Sequence, residues 1–156
     1  MNLTARKIFF IIIFLIGFCF ILYLISWSFA PGSYPRAETY DFNISEDSLI
    51  AIINLIKGEN PDLTRNNSLQ FIVPDGRDSY WYHIYFYYQD KNQIIYTWTR
   101  RVNKHKTTFA FIGINSGLTL GNWKDVNQSF WWWKNKPDKE EFENRILKKI
   151  RDKTGA

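Results

Sequence analysis

The fold is decided by residues 80–114, which read YWYHIYFYYQDKNQIIYTWTRRVNKHKTTFAFIGI. Three segments of this stretch, 80–88, 94–101 and 107–114, are rich in β-branched and aromatic residues, which favour β-strands. The polar segment Gln89–Gln93 separates the first two and suits a turn. We therefore predict an antiparallel meander at the centre of a folded domain.

A strand and a helix are predicted before the meander. Tyr40, Phe42 and Ile44 alternate with polar residues, which is the period of a half-buried strand. Ser45 is a suitable N-cap for a following helix, and Gly58 marks its end. The apolar residues of this helix recur at helical spacing: Leu49, Ile52, Ile53 and Ile56.

Two further parts complete the domain. Before the meander we predict a polar loop over 60–68, a short strand over 69–73 and a turn at Pro74–Gly76. After it, Asp138 and Glu141 match a capping box that would start a last helix. The apolar face of that helix comprises Phe142, Ile146, Leu147 and Ile150.

The order β, α, several β, α predicts an α+β fold with a mainly antiparallel sheet and two helices. This order also predicts that the helices pack on one face of the sheet. Segment 80–88, however, is aromatic at positions that point to both faces, so both faces are predicted to be covered. Either helices flank the sheet on both sides, or one face docks a partner through its tyrosines; we favour one helix on each face.

An apolar segment without a charge lies near the N-terminus: residues 8–29, IFFIIIFLIGFCFILYLISWSF. A helix of this length, rising about 1.5 Å per residue, spans the roughly 30 Å hydrocarbon core. We predict a single-pass signal anchor whose partner is the lipid bilayer. Arg6 and Lys7 orient residues 1–7 to the cytoplasm, so the C-terminal domain is expected outside a plasma (inner) membrane, in the periplasm or the extracellular space.

A cleaved signal peptide and a lipid anchor are the alternatives to a spanning helix. Ser28 and Ala30 form a small-x-small pattern, but Pro31 follows directly and disfavours cleavage. Cys19 follows the bulky Phe18, where a lipidation signal requires a small residue. An uncleaved anchor is therefore the favoured prediction.

Composition narrows the function classes of the exported part. Residues 30–37, APGSYPRA, have the proline and glycine content of a linker, and residues 38–156 have the length of one domain. The whole chain carries a net charge of +5, to which Arg6 and Lys7 contribute. Because the remaining excess of positive charge is small, no nucleic-acid partner is predicted.

Residues that commonly carry chemistry are few. Two histidines, His83 and His105, and a single cysteine inside the apolar segment predict neither a metal site nor a cofactor. No nucleophile elbow, phosphate-binding loop or zinc-protease motif occurs, so an enzymatic activity is unsupported. One basic turn is either a solvated hairpin tip or a patch for an anionic partner: Arg100, Arg101, Lys104, His105 and Lys106.

Three consecutive tryptophans are the most unusual feature of the sequence. The indoles of 131–133 cannot all point into one core from a regular strand or helix, so at least one is predicted to be exposed. They either fill gaps beside the last helix, lie at the bilayer interface, or bind a protein partner or a sugar ring. The candidate binding surface comprises Trp123, Trp131, Trp132, Trp133, Lys134 and Lys136.

Four stretches, PGSYPRAETYDF, DGRDSYWYHIYFYY, TFAFIGINSGL and LGNWKD, resemble a group of small membrane-anchored envelope proteins of Bacteroidota. The resemblance implies an envelope location and carries no activity or site residue with it. We expect a non-enzymatic binding or accessory domain. The alternatives are an immunity or inhibitor protein at the membrane, and a hydrolase of envelope polymer, which would need paired carboxylates.

Overall fold

The computed structural model describes residues 3–28, 33–64, 74–117 and 119–155. Its contacts divide the chain into a first unit that ends at Pro35 and a second unit that begins at Arg36. The predicted strand over 69–73, and residues 65–68 of the predicted loop before it, lie outside the described residues.

The first unit contains helix α1, Leu3–Ser28. Its side chains from Arg6 to Ser26 are exposed, and by length and composition this stretch is suited to crossing a membrane. Signal anchors and signal peptides share this kind of helix. The structure thus supports an N-terminal apolar helix that is long enough to cross a membrane.

The described residues of the second unit form a six-stranded antiparallel sheet. The strands are β1 (Glu38–Phe42), β2 (Gly76–Asp78), β3 (Trp81–Tyr88), β4 (Gln93–Asn103), β5 (Lys106–Ser116) and β6 (Trp123–Asp125). They lie in the order β1-β5-β4-β3-β2, and β6 pairs with residues 113–115 of β5. The predicted meander is confirmed, because β3, β4 and β5 are consecutive neighbours joined by tight turns.

Helix α2, Glu46–Glu59, follows β1 as predicted. The Oγ atom of its N-cap, Ser45, accepts a hydrogen bond from the Ser48 amide at 3.2 Å. The C-terminal helical segment consists of α3 (Trp132–Phe142), a π-helical turn (Glu143–Leu147) and α4 (Lys148–Thr154). Together these elements confirm the predicted α+β fold.

The predicted start of the last helix is wrong. Asp138 lies inside α3 and does not cap it; its Oδ2 atom accepts a hydrogen bond from Lys124 Nζ at 2.6 Å. The helix begins at Trp132 and contains Pro137. Because proline has no amide hydrogen and is disfavoured inside a helix, the sequence pattern favours a start beyond it.

One hydrophobic core lies between the sheet and the helices, with Phe142 at its centre. The Phe142 ring stacks on Phe111 with centroids 4.3 Å apart, and its centroid lies 5.9 Å from that of Phe109 and 6.0 Å from that of Tyr40. The α2 residues of the same core are Leu49, Ile53 and Ile56. The start of the chain's second unit and its end are therefore packed together.

The two helical segments cover the same face of the sheet, which confirms the packing predicted from the element order and shows that the prediction of one helix on each face is wrong. Both pack against one core that includes Ile84, Phe86 and Tyr88 of β3, and α2 also contacts α4. A single helix has one apolar stripe, which covers little of a six-stranded sheet. Two helices are needed to bury one face.

The opposite face of the sheet carries an aromatic row of its own. Tyr85 and Tyr96 stack on neighbouring strands with ring centroids 4.9 Å apart. The Tyr96 hydroxyl lies 2.7 Å from His83 Nδ1, and Trp123 meets the Tyr96 ring edge-to-face at 5.6 Å. These ring contacts between neighbouring strands thus shield part of each side chain from solvent.

A β-bulge interrupts the pairing of β4 with β5. Consecutive residues of β4 pair with Phe111 and Gly113, so Ile112 is an extra residue in β5. Phe111 and Ile114 consequently both join the core, although residues three apart in a regular strand point to opposite faces. The bulge thus lets apolar side chains from both halves of β5 point into the core.

Gly113 allows β6 to approach the bulge closely. It pairs with Asp125, and a Cβ atom built on it would lie 2.5 Å from the carbonyl oxygen of Lys124. Real Cβ atoms do not make backbone contacts this short, so a larger residue would separate β6 from β5.

Candidate functional site

The three consecutive tryptophans lie at the start of α3 and are exposed. Trp131, Trp132 and Trp133 are 49%, 70% and 50% exposed. Trp131 stacks on Trp133 with centroids 4.9 Å apart, and Trp132 meets Trp133 edge-to-face at 6.1 Å. We call residues 131–133 the tryptophan cluster. Its rings contact one another and leave large apolar surfaces open to a partner, which favours contact with a partner over gap filling.

A buried amide holds the loop that carries the tryptophan cluster. Asn135 is 3% exposed; its Oδ1 atom accepts from the Ser129 amide at 3.0 Å and its Nδ2 donates to the Ser129 carbonyl at 2.8 Å. The Lys134 amide donates to the Trp131 carbonyl at 3.0 Å. The indoles are therefore presented by a hydrogen-bonded turn of fixed shape.

The charged residues around the tryptophan cluster are mainly basic or paired. Lys134 is exposed, and Lys136 Nζ lies 3.2 Å from Glu140. The nearby carboxylates of α3 and β1 are engaged too: Asp138 with Lys124, and Glu38 with Lys139 at 3.2 Å. Among the described residues no group of three His, Cys, Asp or Glu side chains is arranged to hold a metal. The surface is thus suited to apolar contact aided by positive charge.

Residues before and after the tryptophan cluster contact the residues at which the domain begins. Asn127 Nδ2 donates to the Arg36 carbonyl at 3.2 Å, and Arg36 Nη1 lies 3.3 Å from Asp125. Lys139, two turns into α3, reaches Glu38 at the start of β1. The point where the chain enters the domain is therefore held by residues on both sides of the cluster.

The sixth candidate residue, Trp123, has a different environment. It lies on β6 and packs its ring on Tyr96 at the opposite face of the sheet, and it is 40% exposed. The ring contacts of the tryptophan cluster are among its own members and with Phe130. The predicted surface thus consists of a compact cluster at 131–133 with its lysines, and of one indole that belongs to the sheet.

A cleft of about 860 Å³ lies at the end of β4, beside the start of α2 and the β2–β3 turn. We call it the arginine cleft, and its lining residues are Glu46, Asp47, Arg77, Ser79, Tyr80, Trp81, Arg100, Arg101 and Val102. Sequence reasoning named Arg100 and Arg101 as part of a basic patch and missed the rest. The β2–β3 turn at this cleft includes Ser79, a non-glycine residue with φ of 54°, and its residue type does not indicate that conformation.

A buried carboxylate organises the arginine cleft. Glu46 is 1% exposed; it accepts from Arg77 Nη2 at 2.8 Å and from the Thr99 hydroxyl at 3.1 Å. Asp47 lies 3.3 Å from Arg101 Nη2 and is largely exposed. Glu46 is thus a buried anchor for one arginine, whereas Asp47 makes a solvent-exposed pair.

The rest of the predicted basic patch surrounds the β4–β5 turn. Lys104 is exposed there, and the His105 amide donates to Asn103 Oδ1 at 2.8 Å. Lys106 Nζ lies 2.7 Å from Asp41, and this hydrogen bond together with one from Thr108 lowers the pKa of the Asp41 carboxyl. The turn is therefore basic at its tip and neutralised at its base.

Comparison with known proteins yields no relative on which a function could be based. No known protein family matches the chain. No curated protein matches it either.

Proposed function

We propose that this chain is a single-pass membrane-anchored envelope protein whose exported domain is a non-enzymatic binding module. The N-terminal apolar helix supports the anchor, and the resemblance to envelope proteins of Bacteroidota supports the location. The tryptophan cluster is the contact surface of this module, and the partner is a protein of the same envelope.

One observation carries the binding role: three adjacent indoles are each about half exposed or more, and a buried asparagine fixes the turn that presents them. Folded monomers rarely leave such a contiguous apolar patch open without a use for it. Tryptophan is also enriched among the residues that dominate binding energy in protein interfaces. A preformed turn further lowers the entropy lost on binding.

A second candidate for the tryptophan cluster is the bilayer surface. Lys134 and Lys136 flank the indoles, and this combination suits the lipid headgroup region. Arg36, where the segment from the apolar helix enters the domain, is bound by Asn127, four residues before Trp131. Contact with anionic lipid would then orient the domain and leave its other surfaces free for binding.

A hydrolase of envelope polymer receives no support from this site. The carboxylates beside the tryptophan cluster, Glu38, Asp138 and Glu140, are each paired with a lysine. A glycosidase needs two carboxyl groups that face a substrate, one as general acid and the other as nucleophile or general base, whereas these three are engaged by lysines. An immunity or inhibitor role is a special case of the binding role and shares its test.

The binding role is tested by affinity purification of the full chain from detergent-solubilised membranes. The intact protein is compared with a variant in which Trp131, Trp132 and Trp133 are all alanine. We expect a specific partner to be lost from the variant. The control is Leu55→Ala, which removes a half-exposed apolar side chain of α2 outside both the cluster and the arginine cleft and should keep the partner.

The bilayer candidate is separated by fluorescence. The full chain is reconstituted into bilayers that contain brominated lipids, and its emission is compared with that of a variant with phenylalanine at 131–133. Strong quenching of the emission from these three indoles, together with an unchanged set of purified partners, would assign the cluster to the membrane and contradict the protein-binding role.

A further inference from the structure

We propose that the arginine cleft binds a small ligand that carries one carboxylate next to an apolar or ring-shaped group. This site is separate from the tryptophan cluster. It is formed by the beginning of α2, the β2–β3 turn and the last residues of β4. Its volume of about 860 Å³ lies within the range of small-molecule sites, about 300–1,000 Å³.

The cleft offers an arginine that is not neutralised by a neighbour. Arg100 is exposed, and none of the ion pairs among the described residues includes it. A guanidinium presents its N–H groups as a planar fork that matches the two oxygens of a carboxylate. Arg100 is therefore the primary ligand-binding residue of this site.

Two further arginines assist Arg100. Arg77 and Arg101 each make one ion pair within the domain, yet about half of each side chain remains exposed. Since a guanidinium has five N–H donors, each keeps donors for a ligand. Glu46 also holds Arg77 in place from a fully buried position, so the donor is oriented before a ligand arrives.

The charge of the lining favours a ligand with a single negative charge. Arg77 is paired with Glu46 and Arg101 with Asp47, so the positive charge of Arg100 remains uncompensated in the lining. A monoanionic carboxylate balances this charge. A doubly charged phosphate would bring an excess negative charge next to Asp47, which is unfavourable.

Apolar side chains lie beside the arginines. Tyr80 is 74% exposed and Val102 is 50% exposed, and the Tyr80 ring meets Trp81 edge-to-face at 6.1 Å. The left-handed backbone at Ser79 forms the two-residue turn that projects Tyr80 outward. Strained backbone of this kind recurs where a side chain is held for binding. A ring or apolar group attached to the carboxylate can pack here.

The proposal is tested with a matched pair of probes, N-acetyl-L-phenylalanine and its uncharged amide. Both are titrated into the full chain in zwitterionic detergent micelles, and nitrogen-15 spectra of the arginine side chains and tryptophan indoles are recorded. We expect saturable shifts that centre on Arg100 and Trp81 for the carboxylate, and at least tenfold weaker binding of the amide.

Two variants with the same loss of charge make the test specific. Arg100→Gln should weaken binding of N-acetyl-L-phenylalanine about tenfold or more, which is the loss of one charge-assisted contact. Lys104→Gln, in the exposed turn outside the cleft, should leave the dissociation constant of this probe within about twofold of that of the original protein. Among the described residues, neither Arg100 nor Lys104 takes part in an ion pair, so both variants are expected to fold.

Three results would overturn the proposal. Equal binding of the acid and the amide would show that the carboxylate is not recognised. An equal effect of both variants would show that general positive charge, not the cleft, attracts the probe. Tighter binding of inorganic phosphate than of N-acetyl-L-phenylalanine, measured in the same way, would assign the site to a different anion.

Discussion

Asn135 and Ser129 form a reciprocal pair of hydrogen bonds that closes the turn in front of α3. The side-chain amide of Asn135 accepts from the Ser129 amide at 3.0 Å and donates to the Ser129 carbonyl at 2.8 Å. The asparagine side chain thus bonds both backbone polar groups of Ser129, as a neighbouring β-strand would. Its burial excludes competing water, so both bonds contribute to the shape of the turn.

The first prediction concerns this pair. Asn135→Ala removes both hydrogen bonds and leaves two polar backbone groups without their partner, so we expect a loss of about 2 kcal/mol in the free energy of unfolding. The measurement is urea unfolding of the full chain in detergent micelles. Asn144→Ala, at an exposed position, should change stability by less than about 0.5 kcal/mol. Equal effects of the two variants would contradict the role of the turn.

The second prediction contrasts two glycines. Gly113→Ala places a Cβ atom against the Lys124 carbonyl oxygen and should cost about 1–3 kcal/mol, since β6 must move away. Gly58 lies in α2 with open space around it, so Gly58→Ala should stabilise the domain by up to about 1 kcal/mol. Thermal unfolding of the two variants should therefore shift in opposite directions. A stable Gly113→Ala variant would refute the close approach of β6.

The third prediction concerns the buried carboxylate of the arginine cleft. Glu46→Gln keeps the shape of the side chain but removes the charge that faces Arg77, and should cost about 1–3 kcal/mol of unfolding free energy. Asp47→Asn changes a side chain that is 78% exposed and should cost less than about 1 kcal/mol. The comparison is made by urea unfolding at pH 7. A larger effect at Asp47 would show that Glu46 does not organise the cleft.

The fourth prediction concerns pH. Burial lowers the pKa of His83 below its ordinary value of 6.5. Between the folded and unfolded pKa values, the unfolded chain binds a proton that the folded chain does not, so stability falls as the pH drops below 6.5. His83→Gln keeps a hydrogen-bonding partner for Tyr96 and should flatten the stability profile between pH 7 and pH 5.

The control for this effect is the other histidine. His105→Gln, at the exposed β4–β5 turn, should preserve the slope of the original protein, measured by thermal unfolding at each pH. The carboxyls with a lowered pKa, Asp41 and Asp90, lose their contribution only below about their ordinary value of 3.8, outside this window. An unchanged slope in His83→Gln would contradict the assignment.

Local patterns were sufficient to predict the meander, α2 and the exposed tryptophans. Each of these depends on signals that lie close together in the chain, such as Ser45 before an apolar helix or three consecutive indoles. The start of α3 was mispredicted because Pro137 is a local signal against a helix, whereas packing of Phe142 against β1 and β5 supports one. Tertiary packing overrode local preference at this point.

The arginine cleft was beyond sequence reasoning for a different reason. Glu46, Arg77 and Arg100 lie in three separate elements, and nothing in their spacing indicates that the sheet brings them together. The cover of the second face was equally hidden, because the aromatic pattern of β3 is the same whether helices or other rings cover that face. Both features are consequences of topology.

The extra residue at Ile112 limits how related chains can differ in length. If residue 112 were deleted, one half of β5 would shift by one position in register, and its side chains would point to the opposite face of the sheet. Either Ile114, or both Phe109 and Phe111, would then leave the core. Insertions and deletions in β5 should therefore be tolerated at its ends, near the turns, and rejected between 109 and 114. An alignment of more distant chains to this one should permit no gap there unless the bulge is lost together with Gly113 and the pairing of β6.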